Sequence, residues 1–451
     1  MLGAALPWSG PALAQVVAQP SPAAYTRAVA AGYKAAVYCA GIFNAGRTPA
    51  QIDGDELKGI YADYDAIVPT LTAEVDRAAP SVKVAFDPSG ALPPRIANWL
   101  PGKGCTLNPI GDGHVRPAAG PGEPGIAASD PRPWPQGDAG IAPRPSPALS
   151  AIVARAFDAK SYGENAKTVG VVVVKDGRIV AERYAEGFGP FVSNRTWSVG
   201  KSIAGTLIGM AGGLAPTGRP ATVTQWSAAA DPRHAITLDN LLRMASGLHS
   251  DTAGNRTDAI YFGGTAVDEQ APSWPIEVRP GTRFRYANND ILLAMYATRG
   301  AIGEERYRRL PATLFDTLGM AHTVAEQDWR GNYVISSQVW STARDFARLG
   351  QFWLQDGVWN GKRLLPEGWL RYMTTPSGPQ PANGPGYGAT MWLFGPKQGL
   401  PDGTYAAQGN RGQYITVIPS QRLIVVRRAE DPGAARFDVA GFTADVAAAM
   451  P

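Results

Sequence analysis

A run of β-branched residues near the middle of the chain limits the possible folds more than any other feature. Residues 168–174 read Thr-Val-Gly-Val-Val-Val-Val, without a charged side chain. Such a run is typical of a buried strand, because branched side chains pack well on a pleated surface. Lys-Asp-Gly-Arg (175–178) then supplies a turn, and residues 179–184 are predicted to return as the second strand of a hairpin.

A second strand pair is predicted near the C-terminus, at residues 414–419 and 422–428. Strands at both ends of this region with helices between them predict an antiparallel sheet that the terminal segments close together. We therefore expect an α/β (α+β) fold for residues 148–451, with an antiparallel sheet flanked by helices. The helices are predicted from their apolar spacing at residues 202–211, 238–244, 289–299 and 343–355.

Composition separates two further regions from this unit. Residues 23–110 are predicted to form an ordered accessory region. A helix is predicted at 24–38, and short strands are predicted at 82–86 and 95–100. Residues 111–147 are crowded with proline, glycine and alanine, a composition that does not support helix or sheet. They are predicted to form a linker between the accessory region and the larger unit.

The first residues resemble the end of a signal peptide. Residues 1–14 are apolar and close on Ala-Leu-Ala, the small-residue pattern of a signal-peptidase site, although the usual positively charged start is missing. The alternative is a tail rich in alanine and proline. We expect a partial signal peptide and an exported, periplasmic protein.

Cys39 and Cys105 are the only cysteines, and neither has the local spacing of a zinc or redox motif. In an oxidising compartment a lone pair of this kind is typically joined, so we predict a disulfide between them. Two separate buried thiols are the alternative.

Charge and composition argue against several classes of partner. The net charge is +4 and no run of Lys and Arg occurs, so neither nucleic acid nor an anionic membrane is expected to bind. No segment approaches the roughly 18 uninterrupted apolar residues of a membrane span. The four histidines lack metal-ligand spacing, and we predict no metal and no other cofactor. No G-x-S-x-G motif occurs, which argues against an α/β-hydrolase triad.

The chemistry is expected to centre on Ser198 and Lys201, which form an S-x-x-K motif at the predicted start of a helix. Residues three apart lie on one helical face, so the serine hydroxyl and the lysine amine can meet. The lysine can act as a base if burial or a nearby cation makes its neutral form accessible. The free N–H groups of a helix start also suit a developing oxyanion. For the S-x-x-K motif taken alone, the alternative to a catalytic pair is an ordinary helix start with an exposed lysine.

A second polar pair, Tyr286 and Asn288, follows the turn-forming segment Pro-Gly-Thr-Arg-Phe-Arg (280–285). In such a Y-x-N triplet the phenol can relay a proton to a leaving group, and the amide can hold a carbonyl oxygen. Taken alone, the triplet is better explained as an ordinary loop tyrosine followed by a turn asparagine.

Four segments of the chain carry a family resemblance. They are Trp-Ser-Val-Gly-Lys-Ser (197–202), Ile-Thr-Leu-Asp-Asn-Leu-Leu-Arg-Met-Ala-Ser-Gly-Leu (236–248), Pro-Gly-Thr-Arg-Phe-Arg-Tyr-Ala-Asn (280–288) and Ser-Thr-Ala-Arg-Asp-Phe-Ala-Arg (341–348). In this order they resemble the serine β-lactamase and penicillin-binding superfamily, especially its class C, esterase and carboxypeptidase-like branch. The resemblance covers roughly residues 148–446 and implies a β-lactamase/transpeptidase-like fold with a helical subdomain.

The resemblance also implies roles for the residues that match. Ser198 would be the nucleophile, Lys201 its base partner, and Tyr286 the acid/base that serves the leaving group. Asn288 would contact either the substrate or Lys201. No cofactor is implied.

The third motif of that family, K-T-G or H-x-G on an inner strand, is replaced here by part of Gln-Gly-Asn-Arg-Gly-Gln-Tyr (408–414). The alignment implies a substrate-binding segment in which Asn410, Arg411 and Gly412 take the place of the triplet. The Gln413 N–H would then be the second oxyanion donor. Arg411 either replaces the missing cation that meets a substrate carboxylate or is a surface arginine. The sequence Arg-Gly-Gln-Tyr resembles the branch that includes 6-aminohexanoate oligomer hydrolases and related amidases and esterases more than it resembles true β-lactamases.

Two hypotheses about function follow. The first is a serine hydrolase that works through an acyl-enzyme on an amide, peptide or ester bond of a small molecule or short peptide, with at most weak β-lactamase activity. The second is a catalytically silent protein of the same fold that binds peptides or cell-wall fragments. The presence of Ser198, Lys201 and Tyr286 together favours the enzyme, because a binding protein has no need of all three.

Overall fold

The computed structural model describes residues 22–116, 127–212, 217–250, 257–433 and 435–450. The predicted signal peptide, residues 1–14, lies outside these ranges, as does part of the predicted linker. Two larger sheets, of four and seven strands, organise the described chain, and helices pack against both.

The N-terminal region is built on one long helix that packs across a four-stranded antiparallel sheet. Its elements are α1 (Pro22–Phe43), α2 (Pro49–Asp55), α3 (Ala62–Asp65), β1 (Ala73–Asp76), β2 (Ser81–Val84), β3 (Arg95–Leu100) and β4 (Gly104–Leu107). The sequence predicted α1, β2 and β3 but neither outer strand, β1 or β4. Helix α1 extends beyond its predicted end at residue 38, because Ile42 and Phe43 continue its buried face.

A disulfide joins Cys39, near the end of α1, to Cys105 in β4, as the sequence predicts. The two Cα atoms are 6.0 Å apart, and the cross-link spans 66 positions of the chain. Both residues are buried between the helix and the sheet, so the bond ties together the two layers of the N-terminal region. The alternative of two separate thiols is wrong.

We expect loss of this disulfide to destabilise the protein substantially. Closing a loop of this length removes entropy from the unfolded chain, an effect worth about 4 kcal/mol. A Cys39→Ser, Cys105→Ser double variant should therefore unfold at a lower urea concentration than the unreduced wild type, with a fall of that size in the free energy of unfolding. Alkylation of denatured, unreduced wild-type protein should label no thiol, and two labelled thiols would contradict the disulfide.

The larger unit follows the linker and is organised by the seven-stranded sheet. In chain order its elements are α4 (Pro147–Arg155), β5 (Thr168–Lys175), β6 (Arg178–Tyr184), β7 (Asn194–Arg195), α5 (Val199–Met210), α6 (Leu238–Leu242), α7 (Asp258–Tyr261), α8 (Val267–Gln270), α9 (Asn288–Ile302), α10 (Glu304–Leu318), β8 (Val324–Ala325), β9 (Val339–Ser341), α11 (Ala343–Leu354), β10 (Val358–Trp359), β11 (Lys362–Arg363), α12 (Trp369–Met373), β12 (Gly386–Tyr387), β13 (Trp392–Phe394), β14 (Thr404–Gly409), β15 (Gln413–Ile418), β16 (Leu423–Ala429) and α13 (Val439–Ala448).

The terminal segments close the main sheet, which confirms the prediction from the sequence. Its strands are antiparallel in the order β12-β13-β14-β15-β16-β5-β6, so β16, the last strand in the chain, lies beside β5, the first strand of the larger unit. The predicted hairpin joins β5 to β6 through Asp176 and Gly177. Both have positive φ angles, of 50° and 78°, as the tight turn of a two-residue hairpin requires.

Both faces of the main sheet are covered, which explains the unbroken valine run in β5. Val172 and Val174 face a core that includes α5 and α11. Val171 and Val173 face a second core, formed with α4 and α13. All four side chains are fully buried. A strand covered on both sides has no exposed positions, so its sequence does not alternate between apolar and polar residues.

The described end of the linker, residues 127–146, contains no helix or strand and is held against the larger unit. The Trp134 indole N–H donates to the Gly177 carbonyl oxygen at 2.9 Å. Arg348 of α11 lies over the Trp134 ring and donates to the carbonyl oxygen of Pro135 at 2.8 Å. This part of the linker is therefore anchored to the turn and helix beside it.

A buried cluster of ion pairs joins the N-terminal region to the larger unit. Arg47 binds Asp55 at 2.6 Å and Glu56 at 2.8 Å, and lies 3.5 Å from Glu430 just after β16. Arg411 binds Glu430 at 2.6 Å and lies 3.5 Å from Glu56. All five residues are buried, so loss of one partner would leave a buried charge uncompensated. The cluster thus fixes the N-terminal region against the end of the main sheet.

Candidate active site

Ser198 lies at a sharp turn between β7 and α5. Trp197 has a φ angle of 50°, a conformation that a bulky residue adopts only when its surroundings enforce it. The turn leaves Ser198 partly exposed, directly before the first residue of α5. Within the described chain, the Ser198 N–H makes no backbone hydrogen bond. It is therefore available to an oxyanion, together with the partial positive charge of the helix start.

Lys201 is buried one turn along α5, and its amine contacts the Ser198 hydroxyl. The Nζ atom is 2.8 Å from Ser198 Oγ, 2.5 Å from Asn288 Oδ1 and 3.0 Å from the Ser336 carbonyl oxygen. Burial, with a smaller effect from the charge of Arg195, lowers the pKa of Lys201 to about 7. In the neutral amine, Asn288 and Ser336 accept the two N–H bonds, and the lone pair then points at Ser198. This is the arrangement of a general base.

A glycine in the S-x-x-K motif allows this contact. A Cβ atom on Gly200 would lie 2.4 Å from the carbonyl oxygen of Ile335. Only a residue without a side chain lets α5 approach residues 335–337 so closely, and this approach brings the Ser336 carbonyl oxygen to the amine. Gly200 therefore shapes the surroundings of Lys201 without taking part in the chemistry.

Tyr286 reaches the same point from the segment before α9. Its hydroxyl interacts with Ser198, and its ring centroid is 4.9 Å from Lys201 Nζ. The ring packs against Trp392 of β13 at 5.3 Å and edge-on against Tyr387 of β12 at 6.0 Å. Burial raises the pKa of Tyr286 well above its ordinary value, so the phenol stays protonated at neutral pH and can donate a proton.

The segment after α6 holds the Y-x-N triplet in place. Met244 has a φ angle of 59°, and its carbonyl oxygen accepts the Arg285 N–H at 2.8 Å. Its sulfur accepts the Ala287 N–H at 3.3 Å. Asn288 then starts α9 with its side chain buried. Of the two contacts that the resemblance implies for Asn288, the structure shows the one to Lys201.

The segment aligned with the third motif also borders the nucleophile. Gly409 ends β14, and a Cβ atom there would lie 2.4 Å from the Thr196 carbonyl oxygen and 3.2 Å from the Ser198 nitrogen. The main sheet can come this close to the nucleophile only because residue 409 has no side chain. Asn410 follows directly and is exposed, with its Oδ1 accepting the Arg411 N–H at 2.9 Å. It is thus the accessible polar side chain of this turn.

The structure corrects the predicted roles of Arg411. Its φ angle is 57°, and its guanidinium is buried rather than presented to a substrate. It donates to Glu430 Oε2 at 2.6 Å, to the Glu430 carbonyl oxygen at 2.9 Å and to the Asp431 carbonyl oxygen at 2.9 Å. Because these groups occupy its donors, Arg411 neither meets a substrate carboxylate nor lies at the surface.

Gly412 and Gln413 are buried as well. A Cβ atom on Gly412 would overlap the buried ion pair between Arg427 and Asp431, which explains the glycine by packing alone. The Gln413 Oε1 atom accepts from Arg428 Nε at 2.8 Å, so this side chain also serves the interior. Only the backbone N–H of Gln413 is left for the predicted oxyanion role, which stays a prediction.

Sequence reasoning assigned no part in the chemistry to three residues around this site. Ser336 acts through a carbonyl oxygen, which every residue carries, so no sequence signal marks it. Trp392 lies on a strand of only three residues and is one of 12 tryptophans. Arg195 lies three positions before the nucleophile. Its cationic side chain and this position could have indicated its importance from the sequence.

Within the described ranges, no group of three or more His, Cys, Asp or Glu side chains is placed to hold a metal ion. A search of the same residues finds no helix of the length and apolar character that a membrane crossing needs.

Comparison with known proteins finds relatives of the larger unit. A family model described as Beta-lactamase matches residues 153–449. A Bacillus anthracis structure described as a 6-aminohexanoate-dimer hydrolase superposes with a TM-score of 0.53 at 20% identity, over 62% of this chain and 78% of that chain. A Bacteroides dorei structure described as a beta-lactamase gives a TM-score of 0.51 at 21% identity, over 62% and 89% of the two chains. A class C beta-lactamase gives 0.52 at 13% identity, over 67% and 96%.

These structural similarities, at low identity, concern the fold. They confirm the predicted β-lactamase/transpeptidase-like architecture of an antiparallel sheet with flanking helices. The N-terminal region described above lies outside the residues that the family model matches.

Proposed function

This chain belongs to the beta-lactamase family, and on that premise we propose that it is a serine hydrolase that cleaves an amide, peptide or ester bond of a small substrate through an acyl-enzyme. The observation that carries the proposal is the 2.8 Å contact between Lys201 Nζ and Ser198 Oγ. The two other contacts of that amine are to oxygen atoms, so its lone pair is directed at the nucleophile. Ser198, Lys201 and Tyr286 are the residues to which we assign the chemistry.

In the first half-reaction Ser198 Oγ attacks the substrate carbonyl carbon and passes its proton to the neutral Lys201 amine. The carbonyl electron pair moves onto the oxygen, where the Ser198 N–H stabilises the charge. Tyr286 donates its phenolic proton to the leaving amine or alcohol as the bond to the carbonyl carbon breaks. The phenolate then takes the proton from Lys201. The products are an acyl ester on Ser198, a neutral leaving group and the starting forms of the base and the phenol.

In the second half-reaction water takes the place of the leaving group. Tyr286 passes its own proton to the neutral Lys201 amine and takes one from the water, as the water oxygen attacks the acyl carbonyl carbon. The ester bond to Ser198 Oγ then breaks, and the serine recovers a proton from the same pair. The free acid leaves, and no group of the protein has changed.

The surroundings of Ser198 favour a substrate without a carboxylate next to the scissile bond. Trp392 and Tyr387 surround Tyr286 with aromatic surface. Arg411, which could have offered a cation, is occupied in the interior. We therefore propose amidase or peptidase activity, with ester cleavage by the same groups and at most weak activity on β-lactam antibiotics, which carry such a carboxylate. We also propose export to the periplasm, which the disulfide supports.

A fluorophosphonate probe should label Ser198 and add one adduct to the intact mass. Because the reaction needs the neutral amine, the labelling rate should rise with pH up to about 7, where Lys201 loses its proton, and level off above. Peptide mapping of the adduct and a pH series of labelling rates check both statements. Amide, ester and chromogenic cephalosporin substrates tested in parallel should identify the bond, with the cephalosporin turned over most slowly.

Two outcomes would contradict this proposal. Labelling of a residue other than Ser198, or of none at any pH, would remove the assigned nucleophile. The acid limb of the pH profile is the range in which the labelling rate rises with pH. If this limb were centred near pH 4, where carboxylates titrate, a group other than Lys201 would accept the proton.

A further inference from the structure

A buried arginine without an acidic partner lies close to the base. Arg195, in β7, is 2% exposed, and no carboxylate of the described chain forms an ion pair with it at 4.0 Å or less. Its Nε atom has no hydrogen-bond partner there, while Nη2 donates to Ser337 Oγ at 3.1 Å. A buried charge that is not neutralised is costly. Its position next to the nucleophile points to a role beyond packing.

Arg195 and Lys201 are bound to adjacent residues of one loop. The arginine contacts the Ser337 hydroxyl, and the lysine contacts the carbonyl oxygen of Ser336. Within the same described ranges, Lys201 also forms no ion pair at 4.0 Å or less. Two cationic side chains therefore share a buried setting in which like charges repel each other strongly.

Within the described ranges, the other side chains in contact with Lys201 are uncharged at neutral pH. The Asn288 oxygen accepts from its amine, and the Tyr286 ring lies 4.9 Å from it. From α7, the Tyr261 hydroxyl is 2.6 Å from Ser336 Oγ. Burial raises the pKa of both tyrosines, so neither contributes an anion that would favour a charged lysine.

Among the described residues, the acidic Glu326 lies close enough to Arg195 to interact with its charge. It follows β8 and faces the N-terminal region, where its Oε1 accepts from Asn44 Nδ2 and from the Cys105 N–H, both at 3.1 Å. Burial raises the pKa of Glu326 to about 7, so below that pH the carboxyl does not offset the arginine.

The N-terminal region covers this arginine. Tyr61, directly before α3, interacts electrostatically with the Arg195 guanidinium. Its ring lies 6.3 Å from that of Trp197. The Trp197 ring in turn stacks on Arg195, with 3.9 Å between the guanidinium carbon and the ring centroid. Arg195 is thus enclosed between the residue before the nucleophile and a residue of the N-terminal region.

We propose that Arg195 is a positioning residue that keeps Lys201 in its neutral, proton-accepting form, and that Tyr61 of the N-terminal region sustains this effect by keeping water away from the arginine. The inference rests on the proposed hydrolase function and deepens it. Burial is the larger cause of the lowered pKa of Lys201 and Arg195 the second, which agrees with this arrangement. The N-terminal region then completes the electrostatic surroundings of the base.

The test is the pH dependence of fluorophosphonate labelling of the full chain. Arg195→Gln keeps a donor for Ser337 but loses the charge, so the acid limb should move upward by about one pH unit. At pH 6 its labelling should be about tenfold slower than that of the wild type, and the two rates should converge once both lysines are neutral. Arg195→Lys is the matched control, because it retains the charge and should keep the limb within about 0.3 unit.

A second pair of variants tests the contribution of the N-terminal region. Tyr61→Ala lets water reach and screen Arg195, so the acid limb should move up by about half a unit. Tyr61→Phe keeps the ring and should leave the limb where it is in the wild type. If Arg195→Gln fails to fold in a thermal melt, the comparison of these two variants decides the proposal.

Three results would overturn the inference. A uniform fall of the labelling rate in Arg195→Gln, without a shift of the limb, would mean that Arg195 is only structural. An equal shift in both Tyr61 variants, or in neither, would remove the N-terminal region from the effect. Loss of the limb in Glu326→Gln would assign the titration to that carboxyl. A wild type that is not labelled at any pH would instead defeat the proposed function, which keeps the two failures distinguishable.

Discussion

Ser198→Ala is expected to lower kcat on amide and ester substrates by at least about a thousandfold. The change removes one oxygen atom, without which no acyl-enzyme forms and the Lys201 amine has no proton to accept. Ser198 is partly exposed, so the substitution leaves little empty volume and the fold should persist. The measurement is kcat of the purified variant, with its melting temperature compared with that of the wild type.

Ser202→Ala provides a matched control for this prediction. Ser202 lies one turn further along α5, where its hydroxyl donates to the Thr390 carbonyl oxygen at 2.5 Å. This variant loses a buried hydrogen bond but no catalytic group, so its kcat should stay within a few-fold of wild type. A Ser198→Ala variant that keeps more than about a tenth of kcat would show that another residue is the nucleophile. Equal losses in both variants would trace the effect to distortion of α5.

The contact between Ser198 and Lys201 was predictable because it depends on local geometry. Ser198 and Lys201 are three residues apart at the start of α5, and helical periodicity alone places them on one face. The strand run 168–174 was equally predictable, because its composition admits few other conformations. Tyr286 lies far along the chain, and helical or strand periodicity could not bring it to Ser198. Its place in the site followed only from the order of the family segments.

Arg411 shows where such reasoning fails. An arginine in a predicted turn next to a substrate site is expected to point outward. Here a φ angle of 57° and two distant carboxyl groups direct it inward. Glu56 belongs to the N-terminal region, and the contact between the two side chains spans 355 positions of the chain. Pairings over such a distance leave no periodic trace in the sequence.

The same limit applies to the surroundings of Lys201. The sequence indicated that burial or a nearby cation would be needed to make the lysine a base, and the structure shows burial together with Arg195. The enclosure of that arginine depends on Tyr61, which belongs to a region that the family resemblance does not cover. Its contribution could be recognised only once the two parts of the chain were seen together.

Tyr286→Phe is expected to lower kcat on an amide by roughly 10²–10⁴-fold with little change in substrate affinity. The substitution keeps the ring and therefore its packing against Trp392 and its contact with the Lys201 amine. What it removes is the hydroxyl that interacts with Ser198. The loss should be smaller on a nitrophenyl ester, because an amine must gain a proton to leave whereas nitrophenolate leaves without one. The measurement is kcat and KM on a matched amide and ester.

Tyr387→Phe is the matched control for Tyr286→Phe, because it makes the same change in a ring that packs edge-on against Tyr286 at 6.0 Å. Its kcat on both substrates should stay within a few-fold of wild type, which would separate the role of one hydroxyl from a general disturbance of the aromatic cluster. Equal losses on amide and ester in Tyr286→Phe would assign the phenol to activation of Ser198 rather than to protonation of the leaving group. No loss on either substrate would remove Tyr286 from the chemistry, because Lys201 would then have to carry every proton transfer through its contact with Ser198.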